Sequence, residues 1–369
     1  MIYLDNGATS FPKPTSVSLA MLEAMDSCGN PGRGGYPAAM NAAQVVYTCR
    51  RRAATLFDCD TEQVVFTSSC TQGLNMAIRT LFKPGDRVVV SGFEHNAVTR
   101  TLTGLGCQMI VAGRKLFDWE NTLTEFGQVL DSGVDGAVFT HVSNVFGYIL
   151  PVAEMAKMCR EKGIPFVIDA AQSAGNQQLS FRDLGADFIA MPGHKGLLGP
   201  MGTGLLLCGR LPVPLLMGGT GSESKNQAMP DFLPDRGEAG TVNVPGIAGL
   251  SAGILYLQKY GVKNIGKREE KCARECAEGL QKFGFSVYWG SHQGGTVSFL
   301  PGIDCEEGAA YLARRGIAVR AGLHCAPLAH ESAGTLDTGT IRVSFGADAG
   351  QAQVRAFLRA ASKLRARYF

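Results

Sequence analysis

At 369 residues the chain is longer than one hydrophobic core usually grows, so two domains are expected. Its 35 basic and 32 acidic residues leave a net charge of only +3, too little for a general attraction to nucleic acid or to an anionic membrane. No apolar run reaches the ~18 residues of a membrane span, the opening MIYLDNGATS carries no charged and apolar leader, and the eleven scattered cysteines form no C-x-x-C pair, which argues against a disulfide framework or a structural zinc site. A soluble cytoplasmic protein with reduced thiols is the expectation.

After a short opening strand, Phe11-Pro-Lys-Pro14 breaks the chain, and Thr15 is placed to cap a helix carrying Val17, Leu19, Met21, Leu22 and Met25 toward a core. Asn30-Pro-Gly-Arg-Gly-Gly-Tyr36 reads as an irregular loop in which Arg33 serves either a ligand or solvent. A helix over 37–56 leads to a short buried strand at 64–67. The small, polar Ser68-Ser-Cys-Thr-Gln-Gly-Leu-Asn75 then opens another helix. Unpaired amides and the helix dipole point at one place there, so Cys70, Thr71 and Gln72 are candidates for holding a phosphate, with an ordinary N-cap as the plainer account.

A buried strand over 87–91 ends in Gly92-Phe-Glu-His95-Asn-Ala-Val98, where the His95 ring can stack on a flat ligand and exchange a proton, or can be structural. Strands are expected at 109–112 and 137–143, the latter closing in Thr140-His-Val-Ser-Asn144-Val-Phe-Gly147, and a helix at 151–163 has Pro at its start and Gly at its end.

In the stretch 167–204, Val167-Ile168 ends at Asp169, Phe188-Ile189-Ala190-Met191 is a second apolar run, and Lys195 follows in Gly193-His194-Lys195-Gly196 before a third run over 204–208. Two parallel strands would deliver Asp169 and Lys195 to the same sheet edge. A lysine can hold an aldehyde cofactor as a Schiff base, and a carboxylate can keep a pyridine nitrogen protonated; pyridoxal phosphate needs both groups. Standing alone, a loop lysine and a helix-capping aspartate account for the pair as well. Seven strands alternating with helices up to Cys208 predict a helix-covered, mostly parallel sheet. Dinucleotide, nucleotide and zinc-protease fingerprints are missing from the sequence.

The stretch 211–245 is rich in proline and glycine and reads as an irregular surface crossing. Beyond about 260 come helices at 262–283, 306–315 and 351–367 and strands at 285–289, 296–300, 317–322 and 340–345, the pattern of a small α+β domain. The expected division is a large domain over 15–255 and a small one made of 1–14 and 256–369. Cys272 and Cys276, four apart on one helix face, are read as core, so no metal site is expected. In Arg320-Ala-Gly-Leu-His324-Cys325-Ala-Pro a thiol stands beside an imidazole and near an arginine, either of which can promote its thiolate. Arg342, in Thr340-Ile-Arg342-Val-Ser, has the planar fork that suits a carboxylate, or makes a strand-end ion pair.

From Tyr3-Leu4-Asp5 to the region of Arg342 the chain resembles pyridoxal-phosphate enzymes of the class V aminotransferase group, in particular group II cysteine desulfurases and selenocysteine lyases. The most specific pieces are Asp169-Ala-Ala-Gln172, Gly193-His194-Lys195 and Arg320-Ala-Gly-Leu-His324-Cys325-Ala. The resemblance implies fold type I, a seven-stranded, mostly parallel sheet with helices on both faces plus a smaller C-terminal α+β domain, in a homodimer with shared sites. It implies that Lys195 carries the cofactor, that Asp169 keeps its ring protonated, that His95 stacks on it as acid or base, and that Asn144 bonds its ring hydroxyl side. Cys70, Thr71 and Gln72 would hold the phosphate, and Gln172 and His194 complete the cofactor site. Thr241, in Glu238-Ala-Gly-Thr241-Val-Asn243, would reach the neighbouring subunit's phosphate, with the flexible Gly218-Gly-Thr-Gly-Ser222 loop just before it.

By the same resemblance Arg342, with Arg320 and Asn144, binds the substrate carboxylate. Cys325 takes the sulfur of L-cysteine as a persulfide, leaving L-alanine; L-selenocysteine is the related substrate, and a protein sulfur acceptor follows. Two departures from the family pattern are Pro192 where a serine is usual and Leu323 where a histidine is common, and both bear on rate and substrate choice. Within the fold the alternatives are a cysteine C–S lyase, an aminotransferase or an epimerase; outside enzymes, a non-catalytic sulfur-carrier scaffold.

Overall fold

Runs of valine, isoleucine and leucine without intervening polar residues can only pair in a sheet covered on both faces. A computed structural model of the chain describes residues 1–32 and 34–368, so Arg33 lies outside the described residues. In chain order the strands are β1 (Ile2–Tyr3), β2 (Val64–Thr67), β3 (Arg87–Ser91), β4 (Gln108–Ala112), β5 (Gly136–Thr140), β6 (Phe166–Asp169), β7 (Phe188–Pro192) and β8 (Gly204–Cys208), then β9 (Ser286–Tyr288), β10 (Thr296–Leu300), β11 (Ile317–Ala318), β12 (Arg320–Gly322) and β13 (Thr340–Ser344).

Strands β2 to β8 form one seven-stranded sheet in the order β2-β8-β7-β6-β5-β3-β4. Only β8 runs against its neighbours, so the carboxyl ends of β2, β3, β5, β6 and β7 share one edge. Alternate residues of each strand feed opposite faces: Val88, Val90, Val138 and Val167 enter one apolar cluster, and Val89, Ala137, Phe139 and Ile168 the other. Strands β12-β13-β10-β9 make a separate antiparallel sheet whose core includes Phe299, Ile341, Val343 and the thiols of Cys272 and Cys276. The chain's first residues join this second region, because β1 pairs in parallel with β11 and Leu4 is buried in the same cluster.

Several local expectations change. The first helix, Thr15–Ser27, begins at Thr15 itself with no side-chain cap, and it buries only Val17 and Ala24; Leu19, Leu22 and Met25 are exposed. The strand expected over 137–143 stops at Thr140, because the Ser143 hydroxyl accepts from the Val145 and Phe146 N–H groups and turns the chain. The strand expected over 317–322 is two, since Ile317–Ala318 pairs with β1 whereas Arg320–Gly322 pairs with β13. The short helices Phe181–Leu184 and Pro327–Ala333 carry too few apolar repeats to be read from sequence.

The irregular crossing after β8 is fastened by one buried ion pair. Arg50, on the helix Pro37–Phe57, donates twice to Glu238 at 2.8 Å, and the same carboxylate accepts the Phe66 N–H at 2.7 Å. Removing one member of a buried pair strands the other, so Glu238→Ala is expected to cost about 3–5 kcal/mol of stability by urea unfolding.

Candidate active site

Outside the carboxyl ends of the parallel strands lies a cavity of about 470 Å³, the usual position of a ligand site in an open α/β sheet. It is lined by Lys195, Asp169, His95, Asn144 and Cys325, among others. Lys195 arrives on a tight turn after β7, in which the Gly193 N–H reaches the Thr203 carbonyl at 2.8 Å. A Cβ at Gly193 would sit 2.1 Å from the Thr203 hydroxyl, so glycine alone fits there. The Lys195 amine makes no hydrogen bond with the described residues. Burial lowers its pKa from the ordinary lysine value, against the attraction of the Asp169 carboxylate.

Asp169 ends β6 and is almost fully buried. Its Oδ1 accepts from the Ala171 N–H at 2.8 Å and the Cys70 thiol at 3.4 Å, while Oδ2 takes no hydrogen bond from the described residues. His95 caps the helix Asn96–Leu105 with its own ring: Nδ1 accepts the Ala97 N–H at 3.0 Å, which puts the proton of the neutral imidazole on Nε2. Burial lowers the His95 pKa and Asp169 opposes the shift.

The helix Cys70–Leu81 starts at the cavity wall, with Ser69, Cys70 and Thr71 lining it. Cys70 turns its thiol to Asp169, whereas the Gln72 carboxamide accepts from the Ser68 N–H and hydroxyl and does not line the cavity. Gln172 donates to the Gly7 carbonyl at 2.9 Å. Partial burial pushes the His194 ring down to about 4, and its carbonyl accepts from the Ser10 N–H and the Thr9, Ser10 and Lys13 side chains. Thr241 lies elsewhere, in a groove with Met25, Cys28 and Asn30.

The second region closes the cavity. Asn144 donates to the His324 carbonyl at 2.8 Å, and the Asn96 N–H to the Cys325 carbonyl at 2.7 Å. Both His324 and Cys325 have left-handed backbones, φ 51° and 56°, which non-glycine residues adopt only where neighbours enforce it. Cys325 is exposed to the cavity side; its neighbour His324 is pushed down to about 2, chiefly by burial. Arg342 is 2 % exposed and bonds the Asn144 carbonyl and Asp5, which also holds Arg320. Asp5 and Lys13 drew no role from the sequence, where the first only marked the start of the family resemblance and the second lay in a chain break.

These features fit pyridoxal phosphate. Lys195, whose amine makes no hydrogen bond with the described residues, and Asp169 line the same cavity, and the helix Cys70–Leu81 starts at its wall.

The family model for aminotransferase class-V matches residues 2–357. The chain belongs to this family. A probable cysteine desulfurase of Pyrococcus abyssi is 32% identical over 97% of this chain and 92% of its own. A probable cysteine desulfurase of Methanothermobacter thermautotrophicus is 32% identical over 93% and 89%. Among solved structures, the apo cysteine desulfurase from Thermococcus onnurineus NA1 aligns with a TM-score of 0.91 at 32% identity, covering 98% of this chain and 94% of that one. The cysteine desulfurase CsdA of Escherichia coli gives 0.85 at 26%, covering 98% and 94%. The architecture is the type I fold of pyridoxal-phosphate enzymes, as the sequence of this class V aminotransferase family member predicts.

The site's imidazoles also predict acid behaviour. His330, fully buried behind His324, is pushed down to about 4 by burial. An unfolded histidine takes up its proton near pH 6.5, so between there and about 4 the unfolded state binds more protons and stability falls as pH falls. His330 alone accounts for roughly 3 kcal/mol across that window. His330→Asn is expected to flatten the decline in urea unfolding between pH 6.5 and 4.5; an unchanged slope would show that His330 is not its source.

Proposed function

We propose that this protein is a pyridoxal-phosphate-dependent cysteine desulfurase, converting L-cysteine to L-alanine and a persulfide on Cys325. The observation that carries the reading is that Lys195 and Asp169, from one stretch of the large sheet, and Cys325, more than a hundred residues further along the chain, line one cavity. The names of the relatives support the same activity.

Pyridoxal phosphate would be held by Lys195 covalently, by Asp169 at the ring nitrogen, by His95 on its face, by Asn144 at its ring hydroxyl side and by the helix start at Cys70 and Thr71 at its phosphate; when bound it supplies an electron sink for charge developing at the substrate's α-carbon. Gln172 and His194 complete that wall. Arg342, with Asn144 and Arg320 beside it, receives the substrate carboxylate. The Lys195 amine, its pKa lowered by burial, takes the α-proton and returns protons to the product. His95, with its proton on Nε2, is placed to donate and recover one at the cavity. The Cys325 thiolate attacks the substrate sulfur: one S–S bond forms, the substrate C–S bond breaks, and the carbon that loses sulfur gains a proton to become the methyl group of alanine. L-Selenocysteine is the related substrate, and a protein sulfur acceptor would receive the persulfide sulfur.

The working unit is a homodimer. Leu19, Leu22 and Met25 on one helix and Met40 and Tyr47 on the next are all more than half exposed, an apolar face that a second copy would cover. Thr241 stands away from its own chain's cavity, in keeping with a role in the partner's. We divide the chain into a large domain over 15–255 holding the seven-stranded sheet and a small one of 1–14 with 256–369 holding the four-stranded sheet, although Leu257, Ile265, Ala326 and Ala329 pack with the large core. A reducing cytoplasm suits the eleven free thiols, and among the described residues no helix is long and apolar enough to cross a membrane.

Purified protein given pyridoxal phosphate and L-cysteine should release L-alanine and carry cyanide-labile sulfur. Lys195→Ala is expected to abolish borohydride fixation of the cofactor; fixation to another lysine would overturn the assignment. Cys325→Ser, nearly isosteric, is expected to keep the absorbance change on adding L-cysteine while losing the labile sulfur. If the sulfur is undiminished or sits on another cysteine, the desulfurase mechanism fails in favour of a C–S lyase. Asp169→Asn keeps the shape without the charge, so turnover is expected to fall by about 10² or more with cofactor still bound.

A further inference from the structure

We propose that Asp5 is a positioning residue for substrate recognition, aligning Arg342 and holding Arg320 against it so that the pair offers one uncompensated positive charge to one α-carboxylate. The inference rests on the reading of Arg342 as the carboxylate-binding residue.

Arg320 and Arg342 are direct cross-strand partners on β12 and β13, an arrangement in which like charges repel. Asp5 lies beside both because its backbone bridges to Ser344, two residues beyond Arg342 and therefore on the same face of the strand. One carboxylate oxygen, Oδ1, accepts from Arg342 Nη2 at 2.7 Å. The other, Oδ2, accepts from Arg320 Nε at 3.0 Å and meets its Nη2 at 2.9 Å.

A guanidinium as buried as Arg342 is costly without a counter-charge, and Asp5 supplies it before any substrate arrives. Asn144 fixes a second edge, its carbonyl accepting from Nη1 at 2.9 Å. Gly7 closes over the guanidinium, where a Cβ would stand 3.1 Å from Arg342 Cζ. With Nη1 and Nη2 each tied on one side, the plane of the fork is set where Arg342 lines the cavity, and its buried Nε has no partner among the described residues. Two guanidinium charges against one carboxylate leave a net of one, which a monocarboxylate amino acid completes and an amide does not.

The test compares the affinities of the holoenzyme for L-alanine and L-alaninamide, read from the change in cofactor absorbance. Wild type is expected to prefer L-alanine. Asp5→Ala is expected to reduce that preference at least about tenfold while changing the affinity for L-alaninamide less than about threefold. Arg342→Gln is expected to do the same, and the double variant to be no worse than Arg342→Gln alone, because Asp5 acts through Arg342. Should Asp5→Ala not fold, Asp5→Asn retains the packing and one acceptor without the charge, and the same loss of preference is expected.

Equal losses for both ligands, additive losses in the double variant or an unchanged preference in the Asp5 variants would overturn the inference alone. A wild type that distinguishes neither ligand overturns it together with the carboxylate reading of Arg342.

Discussion

The site depends on one register, the parallel pairing of β6 with β7 in which Asp169 stands opposite Ala190. That pairing puts the end of β6 two residues short of the end of β7, so the turn carrying Lys195 rises just beyond the carboxylate. A slip by one residue would send Asp169 to the opposite face of the sheet and separate the two groups altogether. The register is locked from both sides, because Ile168 and Ile189 enter one apolar cluster while Val167, Phe188 and Ala190 enter the other. Core packing on two faces thus fixes the chemistry at the edge.

Closing the cavity falls to the chain's first thirteen residues. They join the second region through β1 and Leu4, and reach the large sheet through the bonds of Gly7 to Gln172 and of Thr9, Ser10 and Lys13 to the His194 carbonyl. Lys13 donates to the Ser10 and His194 carbonyls, and burial holds its pKa down to about 8. A short segment therefore spans the two arginines and the lysine turn. Its cost is an ammonium partly removed from water, offset by carbonyl dipoles rather than by a carboxylate.

What was legible in the sequence follows the range of the interactions involved. The seven strands and the pairing of Asp169 with Lys195 were readable because they rest on local apolar runs and on glycine in a tight turn. The role of Asp5 was not, since it arises from a contact with residues more than three hundred positions away. The partner of Gln72 was not legible either: the residue sits at the helix start as expected, but Ser68 engages its side chain. The helix Thr15–Ser27 misled, since apolar residues at helical spacing do not say whether the surface they cover belongs to the same chain.

The surroundings of Cys325 also revise what its neighbour His324 can contribute. Sequence offers His324 and an arginine as equals, yet an imidazole pushed down to about 2 carries no charge at any pH near neutrality. It therefore supplies no positive potential to its neighbour. Arg320 and Arg342, which share Asp5, line the same cavity as Cys325. His324 contributes through its backbone instead: its carbonyl takes the Asn144 amide, its ring meets the Thr340 hydroxyl at 3.4 Å, and together these hold the left-handed turn that aims the thiol.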